Sequence, residues 1–336
     1  MAKSQNTIYN VLLEKLQLVN SEWAKLQKRN VFSEKFNPVN GIPDKFIPVN
    51  MVFSIRNEVR KYALQHNLPF YDFREHNGFL RNLIIRKATG GEVMVVLVTT
   101  DSHAVERDKL MAWLAKAFPG ITSLYYMINN KWNDSIADLT PFHYLGERYI
   151  TEEMEGLRFR VGPKSFYQTN SDQAGRLYSI VKELAGLQGD ETVYDLYTGT
   201  GTIACYLSAM AGRVTGIEYI EEAVADARVN AKVNNIGNAQ FIAGDIRNIF
   251  NETLFVEQGR PDVIITDPPR SGMHGDVTAA MLRSGASRIA YVSCNPATQA
   301  RDIDILSSGY EVRRVAPVDM FPQTFHVENV VLLEKK

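Results

Sequence analysis

The stretch Val193-Tyr194-Asp195-Leu196-Tyr197-Thr198-Gly199-Thr200-Gly201-Thr202-Ile203 decides the fold. An apolar run ends on an acid, passes two glycines and opens into a helical pattern. Gly199 and Gly201 let the backbone turn sharply and come close to a ligand. The helix that follows presents free N–H groups to the same place. A strand feeding a helix in this way is the first unit of a doubly wound sheet. In such sheets ligands sit outside the carboxyl ends of the strands, at the switch point.

Further along the chain the same alternation repeats. Apolar strands are predicted at 192–197, 213–218, 239–243, 262–267, 288–293, 311–318 and 327–334. Helices fit at 171–186, 201–211, 220–235, 276–285 and 297–307. This pattern predicts an α/β, Rossmann-like, mostly parallel sheet. Upstream, a helix at 53–67 precedes apolar β-branched runs at 79–87 and 92–100, which flank Thr89-Gly90-Gly91 as a hairpin. A helix at 103–117, a strand at 122–129 and strands within 143–161 complete a smaller α+β domain. Residues 6–29 have helical spacing and read as an amphipathic helix rather than a signal peptide. Residues 30–50, rich in Pro, Gly and Asn, read as a linker. The expected organisation is therefore 1–50 as helix and linker, 51–165 as the small domain and 166–336 as the catalytic domain.

Composition narrows the classes. At 336 residues the chain is too long for one core of about 100–200 residues. Its 45% hydrophobic and 22% charged residues are ordinary for a globular protein. No apolar run approaches the roughly 20 residues that span a bilayer, so no membrane partner is expected. The net charge of −1 weighs against an extended phosphate-binding surface and leaves room for a local one. Two cysteines, Cys205 and Cys294, form neither a disulfide framework nor a metal cage, so no metal site is expected. A reducing cytoplasm is the natural compartment.

Acidic residues mark a cofactor site. Glu218 ends the second strand, where a carboxylate can bind the hydroxyls of a ribose. Nicotinamide enzymes use the same device, so an oxidoreductase is an alternative. The turn G-T-G-T-I-A lacks the third glycine of the dinucleotide fingerprint, however. Asp195 suits a cationic sulfonium and amino-acid cofactor better than a pyrophosphate. Asp245, after the third strand, is expected near the adenine; the competing role is a helix or loop cap. Asp267 ends the fourth strand in Asp267-Pro268-Pro269-Arg270, whose prolines fix the exit of the chain. Adenine amino-methyltransferases carry an aromatic residue where Arg270 stands, which argues against that chemistry.

Cys294 lies at the end of the fifth strand, before a helix predicted to begin near Pro296. A helix N-terminus lowers a thiol's pKa and favours the attacking thiolate. Cys205 falls on the apolar face of its helix and reads as inert. Glu328 opens the last strand, either as a general base or as a solvated strand-end acid.

The ordered motifs F-Y-Q-T-N (166–170), D-L-Y-T-G-T-G-T (195–202), G-I-E (216–218), D-P-P-R-x-G (267–272), S-C-N-P-x-T (293–298) and H-V-E-N-V (326–330) resemble the RNA uracil-C5-methyltransferase family. The likeness runs from about residue 75 to 336 and looks closest to the 23S ribosomal RNA branch. It implies a methyltransferase sheet with the last strand antiparallel, S-adenosyl-L-methionine as cofactor and RNA as partner, ribosomal RNA first and transfer RNA as the alternative. It also implies that Cys294 adds to uracil C6 and that Glu328 removes the C5 proton. Gln168, Tyr197, Glu218 and Asp267 fall at cofactor-contacting positions. Phe166 falls beside the flipped base, and Arg270 is expected on the substrate side. The family's small β-barrel RNA-binding domain and the four-cysteine iron–sulfur cluster of its ribosomal branch have no counterpart here, so no cluster is expected. A non-catalytic RNA- or ribosome-binding protein is accordingly the second reading. An m5C methyltransferase is a near neighbour, but such enzymes place their nucleophile after the fourth strand or in a Pro-Cys motif.

Overall fold

The computed structural model describes residues 47–321, 324 and 327–336. The helix expected at 6–29 and most of the linker lie outside them. The last residues of that linker, from Ile47, instead open a helix, α1 (Ile47–Gln65). Pro48 is compatible with this, because a first-turn residue needs no N–H donor.

The described residues divide into two compact units, one ending at Phe166 and the other running Tyr167–Lys336. In the first, β1 (Leu80–Lys87) and β2 (Val93–Thr99) form an antiparallel pair. Helix α2 (Ala104–Ala117) then carries the chain back, so that β3 (Ser123–Ile128) lies parallel to β2. β4 (Phe142–Gly146) completes a sheet of order β1-β2-β3-β4. A hairpin of β5 (Ile150–Met154) and β6 (Leu157–Val161) follows. β2 is buried along its whole length. Its Val93, Val95 and Leu97 pack with Leu110, Met111 and Leu114 of α2 and with Ile55 and Val59 of α1.

The second unit begins with α3 (Ser171–Ala185), capped by the Asn170 side chain, which accepts the Gln173 N–H at 3.2 Å. The Asn170 amide also donates to the Met320 carbonyl at 2.9 Å. Alternation then follows as β7 (Thr192–Leu196), α4 (Thr202–Ser208), β8 (Arg213–Glu218), α5 (Glu221–Val233) and β9 (Ala239–Ala243). Two short helices, α6 (Ile246–Ile249) and α7 (Glu252–Gln258), occupy a segment where the periodicity predicts none. β10 (Val263–Thr266), α8 (Gly275–Ser284), β11 (Arg288–Ser293), α9 (Pro296–Leu306), β12 (Tyr310–Val318) and β13 (Glu328–Lys335) finish the chain.

The strand order is β12-β13-β11-β10-β7-β8-β9. β13 inserts between β11 and β12 and runs antiparallel to both, whereas the other neighbouring pairs are parallel. β10 is buried at every residue, as expected for a central strand covered on both faces. Tyr194, Ile264, Ile289, Tyr291 and Val331 build the core on one side of the sheet. No described helix is long and apolar enough to cross a membrane.

Candidate active site

The carboxyl ends of β7, β8, β10 and β11 meet one edge of this sheet, and the antiparallel β13 starts there. At the glycine turn, Gly201 has φ 76° and is the N-cap of α4. A Cβ there would lie 2.8 Å from Ala227 Cβ and 2.9 Å from the Phe241 ring, so only glycine fits. Tyr197 adopts φ 64°, an uncommon state for a residue with a side chain and one found at functional turns. Glu218 accepts the Gly199 N–H at 3.1 Å and the Ile220 N–H at 3.0 Å. It thus ties the glycine turn to the end of the second strand.

Asp195 is buried, and Thr198 Oγ1 donates to its Oδ2 at 2.6 Å. The Ala204 backbone N–H also supports this carboxylate. Burial pushes the Asp195 carboxyl up to about 7, opposed by the Thr198 hydrogen bond and assisted by the charge of Glu218. Asp267 is pushed up to about 8, first by burial, then by Glu328 and Asp195. Tyr178 of α3, which no sequence motif singles out, is buried against the same acids; burial and then Asp267 raise its phenol well above the ordinary range. These carboxyls therefore crowd one another with little opposing positive charge.

Cys294 follows Ser293, which pairs with Asn329 in the antiparallel register of β11 and β13. The next step outward places Cys294 beside Glu328. Burial and then Glu328 raise the Cys294 thiol above its ordinary range, while Arg270 acts in the opposite direction. This corrects the lowering expected from the helix N-terminus alone, because the local reading omits the acid that the register supplies. Burial also raises the Glu328 carboxyl, again opposed by Arg270. Cys205, in contrast, is 1% exposed and pushed up to about 12 by burial.

The segment carrying Arg270 is fastened to α9. Asn295 caps that helix by accepting the Ala297 N–H at 3.2 Å, and its amide donates to the Arg270 carbonyl at 3.0 Å. Thr298 Oγ1 donates to the same carbonyl at 3.1 Å. Asp302, 1% exposed, accepts the Met273 N–H and the Tyr291 hydroxyl, each at 2.7 Å. Gly272 has φ 78°, and a Cβ there would come within 2.7 Å of Asp302 Oδ2. The motifs at 267–272 and 293–298 are thus two halves of one hydrogen-bonded assembly.

Asp245 caps α6 by accepting the Arg247 N–H at 3.0 Å and pairs with the Arg247 guanidinium, so the capping role is present. Gln168 is partly buried at the start of the second unit. Phe166 is 70% exposed and belongs to the first unit. Of the H-V-E-N-V motif, His326 lies outside the described residues.

A seven-stranded sheet with one antiparallel strand and this glycine turn defines the fold of the S-adenosylmethionine-dependent methyltransferases. The sequence model of the tRNA (Uracil-5-)-methyltransferase family matches residues 143–336, and the chain belongs to that family. A Bacteroides thetaiotaomicron protein named as an uncharacterized RNA methyltransferase is 54% identical over 302 residues, 89% of this chain and 66% of that protein. A Porphyromonas gingivalis protein of the same description is 51% identical, covering 89% of this chain and 65% of its own length. The chain thus spans just under two thirds of both relatives. Among solved structures, the Pyrococcus abyssi tRNA (uracil-54, C5)-methyltransferase in complex with S-adenosyl-L-homocysteine is similar with a TM-score of 0.68 and 30% identity. That match covers 82% of this chain and 65% of the other.

Proposed function

We propose that this protein methylates C5 of a uridine in RNA, with Cys294 as nucleophile and Glu328 as base. The observation that carries the reading is the antiparallel register that sets Cys294 beside Glu328, with Asp267 and Arg270 at the same edge.

The residues present fit S-adenosylmethionine. Burial first, and then the neighbouring acids, hold the Asp195 and Asp267 carboxyls above their ordinary range. A group carrying an ammonium and a sulfonium relieves that crowding. Gln168, Tyr197, Glu218 and Asp267 would hold it, with Asp245 toward the adenine. Bound there, it supplies a methyl group on positively charged sulfur, which C5 takes up.

Uracil C5 is too weak a nucleophile unaided. The Cys294 thiolate forms a bond to C6, and the C5–C6 π pair moves toward C5 and the O4 carbonyl. Arg270 stabilises the thiolate before attack. After C5 has gained its substituent, Glu328 removes the C5 proton. The released pair re-forms C5–C6 and breaks the bond from sulfur to C6, freeing Cys294. Attack at C6 requires the base to leave its stack, and Phe166 is the aromatic residue proposed to meet it. Ribosomal RNA in the cytoplasm is the inferred substrate, on the strength of the motif resemblance; transfer RNA is the alternative that the Pyrococcus abyssi neighbour's name supports.

Incubation with labelled cofactor and separate ribosomal and transfer RNA fractions, followed by mapping of 5-methyluridine, tests the substrate. Cys294→Ala is expected to abolish transfer and the trapped 5-fluorouracil adduct while S-adenosylhomocysteine still binds. Full activity in that variant overturns the mechanism.

A further inference from the structure

The first unit holds an exposed aromatic pair on an unusually fixed support. Arg81 of β1 has a fully buried side chain. Its guanidinium donates to the carbonyls of Asn129 and Asn133, both at 3.0 Å, and to that of Lys131. It also lies over the Tyr71 ring, 3.9 Å from the centroid. The Asn129 side chain closes the same loop, donating to the Asn133 carbonyl at 3.0 Å and accepting the Lys131 N–H at 3.0 Å. Held inside this loop, Trp132 is nonetheless 76% exposed.

One face of the indole is covered by His76, with ring centroids 4.8 Å apart and planes at 14°. His76 is fixed in turn by a second tight loop. There the Asp72 N–H donates to the Asn77 carbonyl at 2.7 Å, and the Asp72 carboxylate accepts the Arg74 N–H at 2.7 Å. Exposed tryptophans usually sample several rotamers. This one is braced by the stack on His76, which lowers the ordering entropy that binding against it costs.

We propose that the Trp132–His76 pair is a stacking platform for an unpaired nucleobase of the RNA substrate. This is a contact on the unit that does not carry Cys294, and it rests on the reading that the protein acts on RNA. The chemistry favours a base over an apolar protein segment. Lys131, Asn133, Glu75 and Asn77, the chain neighbours of the two rings, are all polar, matching a flat ring with polar edges. Charge around the platform is mixed, Arg74 and Lys131 against Asp72, Glu75 and Asp134, so the site does not track phosphates. Its contribution is stacking, which tolerates any base.

The test measures binding of the full chain to a fluorescein-labelled single-stranded oligoribonucleotide across a salt series. Trp132→Ala is expected to weaken binding by roughly 5- to 150-fold, the range for loss of one base–aromatic stack. Trp132→Phe restores most of the affinity, the slope against salt stays unchanged, and S-adenosylhomocysteine binds as before. Unchanged RNA affinity in Trp132→Ala overturns the platform. A salt slope reduced by about one identifies a phosphate contact instead and also overturns it. Self-association of the unaltered chain that Trp132→Ala abolishes, without change in RNA affinity, assigns the face to a second copy. If the unaltered chain binds the cofactor product and no RNA at all, the RNA reading itself fails, and the platform with it.

Discussion

A thiol attacks only as its thiolate, and Cys294 begins with burial and the neighbouring Glu328 holding it protonated. Arg270 is the charge that works against both. The sign follows directly: a nearby cation favours the anion, so removing it raises the thiol further. Arg270→Met is therefore expected to move the pH profile of Cys294 alkylation to higher pH and to slow alkylation at neutral pH several-fold, read by iodoacetamide labelling and mass spectrometry. An unmoved profile would mean that the guanidinium does not act on the thiol. The position of Cys294 at a strand end was legible in the sequence, since a cysteine between Ser293 and Asn295 is hard to read as core; its role as nucleophile is the proposal made above. The direction of the thiol's shift was not legible. A helix N-terminus is a local feature, whereas Glu328 reaches Cys294 only through the register of a strand that enters from the far end of the chain. Asp245 illustrates the converse. Its capping role is local and stood in the sequence only as the competing reading, because the short helix that it caps carries no apolar stripe.

At the scale of elements, the alternation of apolar runs located nearly every strand, because buried parallel strands are continuously apolar and need no partner to be recognised. Helices α6 and α7 escaped, since Ile246–Gln258 is short-period and polar, and its helices start from Asx caps at Asp245 and Asn251 rather than from an apolar stripe. What fixes β11 against β13 was equally hidden. Gln299 of α9, fully buried, donates to the Tyr291 carbonyl at 2.9 Å and the Asn329 carbonyl at 3.2 Å, and accepts from the Asn329 amide at 2.7 Å. This clasp joins β11, β13 and α9 one residue short of Glu328. Gln299→Ala leaves the buried Asn329 amide without this acceptor, at a cost of about 1–3 kcal/mol in urea unfolding. Pairing Gln299→Leu with Asn329→Leu removes donor and acceptor together and is expected to cost less than Gln299→Ala. A double variant less stable than that single one would show that the clasp is not what holds these strands.

At the scale of the molecule, two separate cores exist, one built on β2 with α1 and α2, the other on the seven-stranded sheet. Each closes over its own apolar residues, so two calorimetric transitions are expected rather than one. The buried carboxyls of Asp195 and Asp267 distinguish them. Asp195 and Asp267 hold their protons more tightly folded, at about 7 and about 8, than in an unfolded chain. The folded state thus binds more protons than the unfolded one across that interval. Stability that these groups contribute in full below about pH 4 is lost as the pH rises through about 7 and 8. The transition of the sheet unit should therefore move to lower temperature between mildly acidic and mildly alkaline buffer, and Asp267→Asn should flatten that slope. S-adenosylmethionine, which brings net positive charge, should raise the same transition more at the alkaline end, where both carboxylates are ionised and unpaired. At a concentration of 100 times its dissociation constant, binding adds about 2.7 kcal/mol. The other transition, whose core holds neither acid, should respond to neither change. Scanning calorimetry at three pH values with and without cofactor reads all of this at once. A single transition would show that the two cores do not unfold separately, and a cofactor effect that weakens as pH rises would show that Asp195 and Asp267 do not meet the cation.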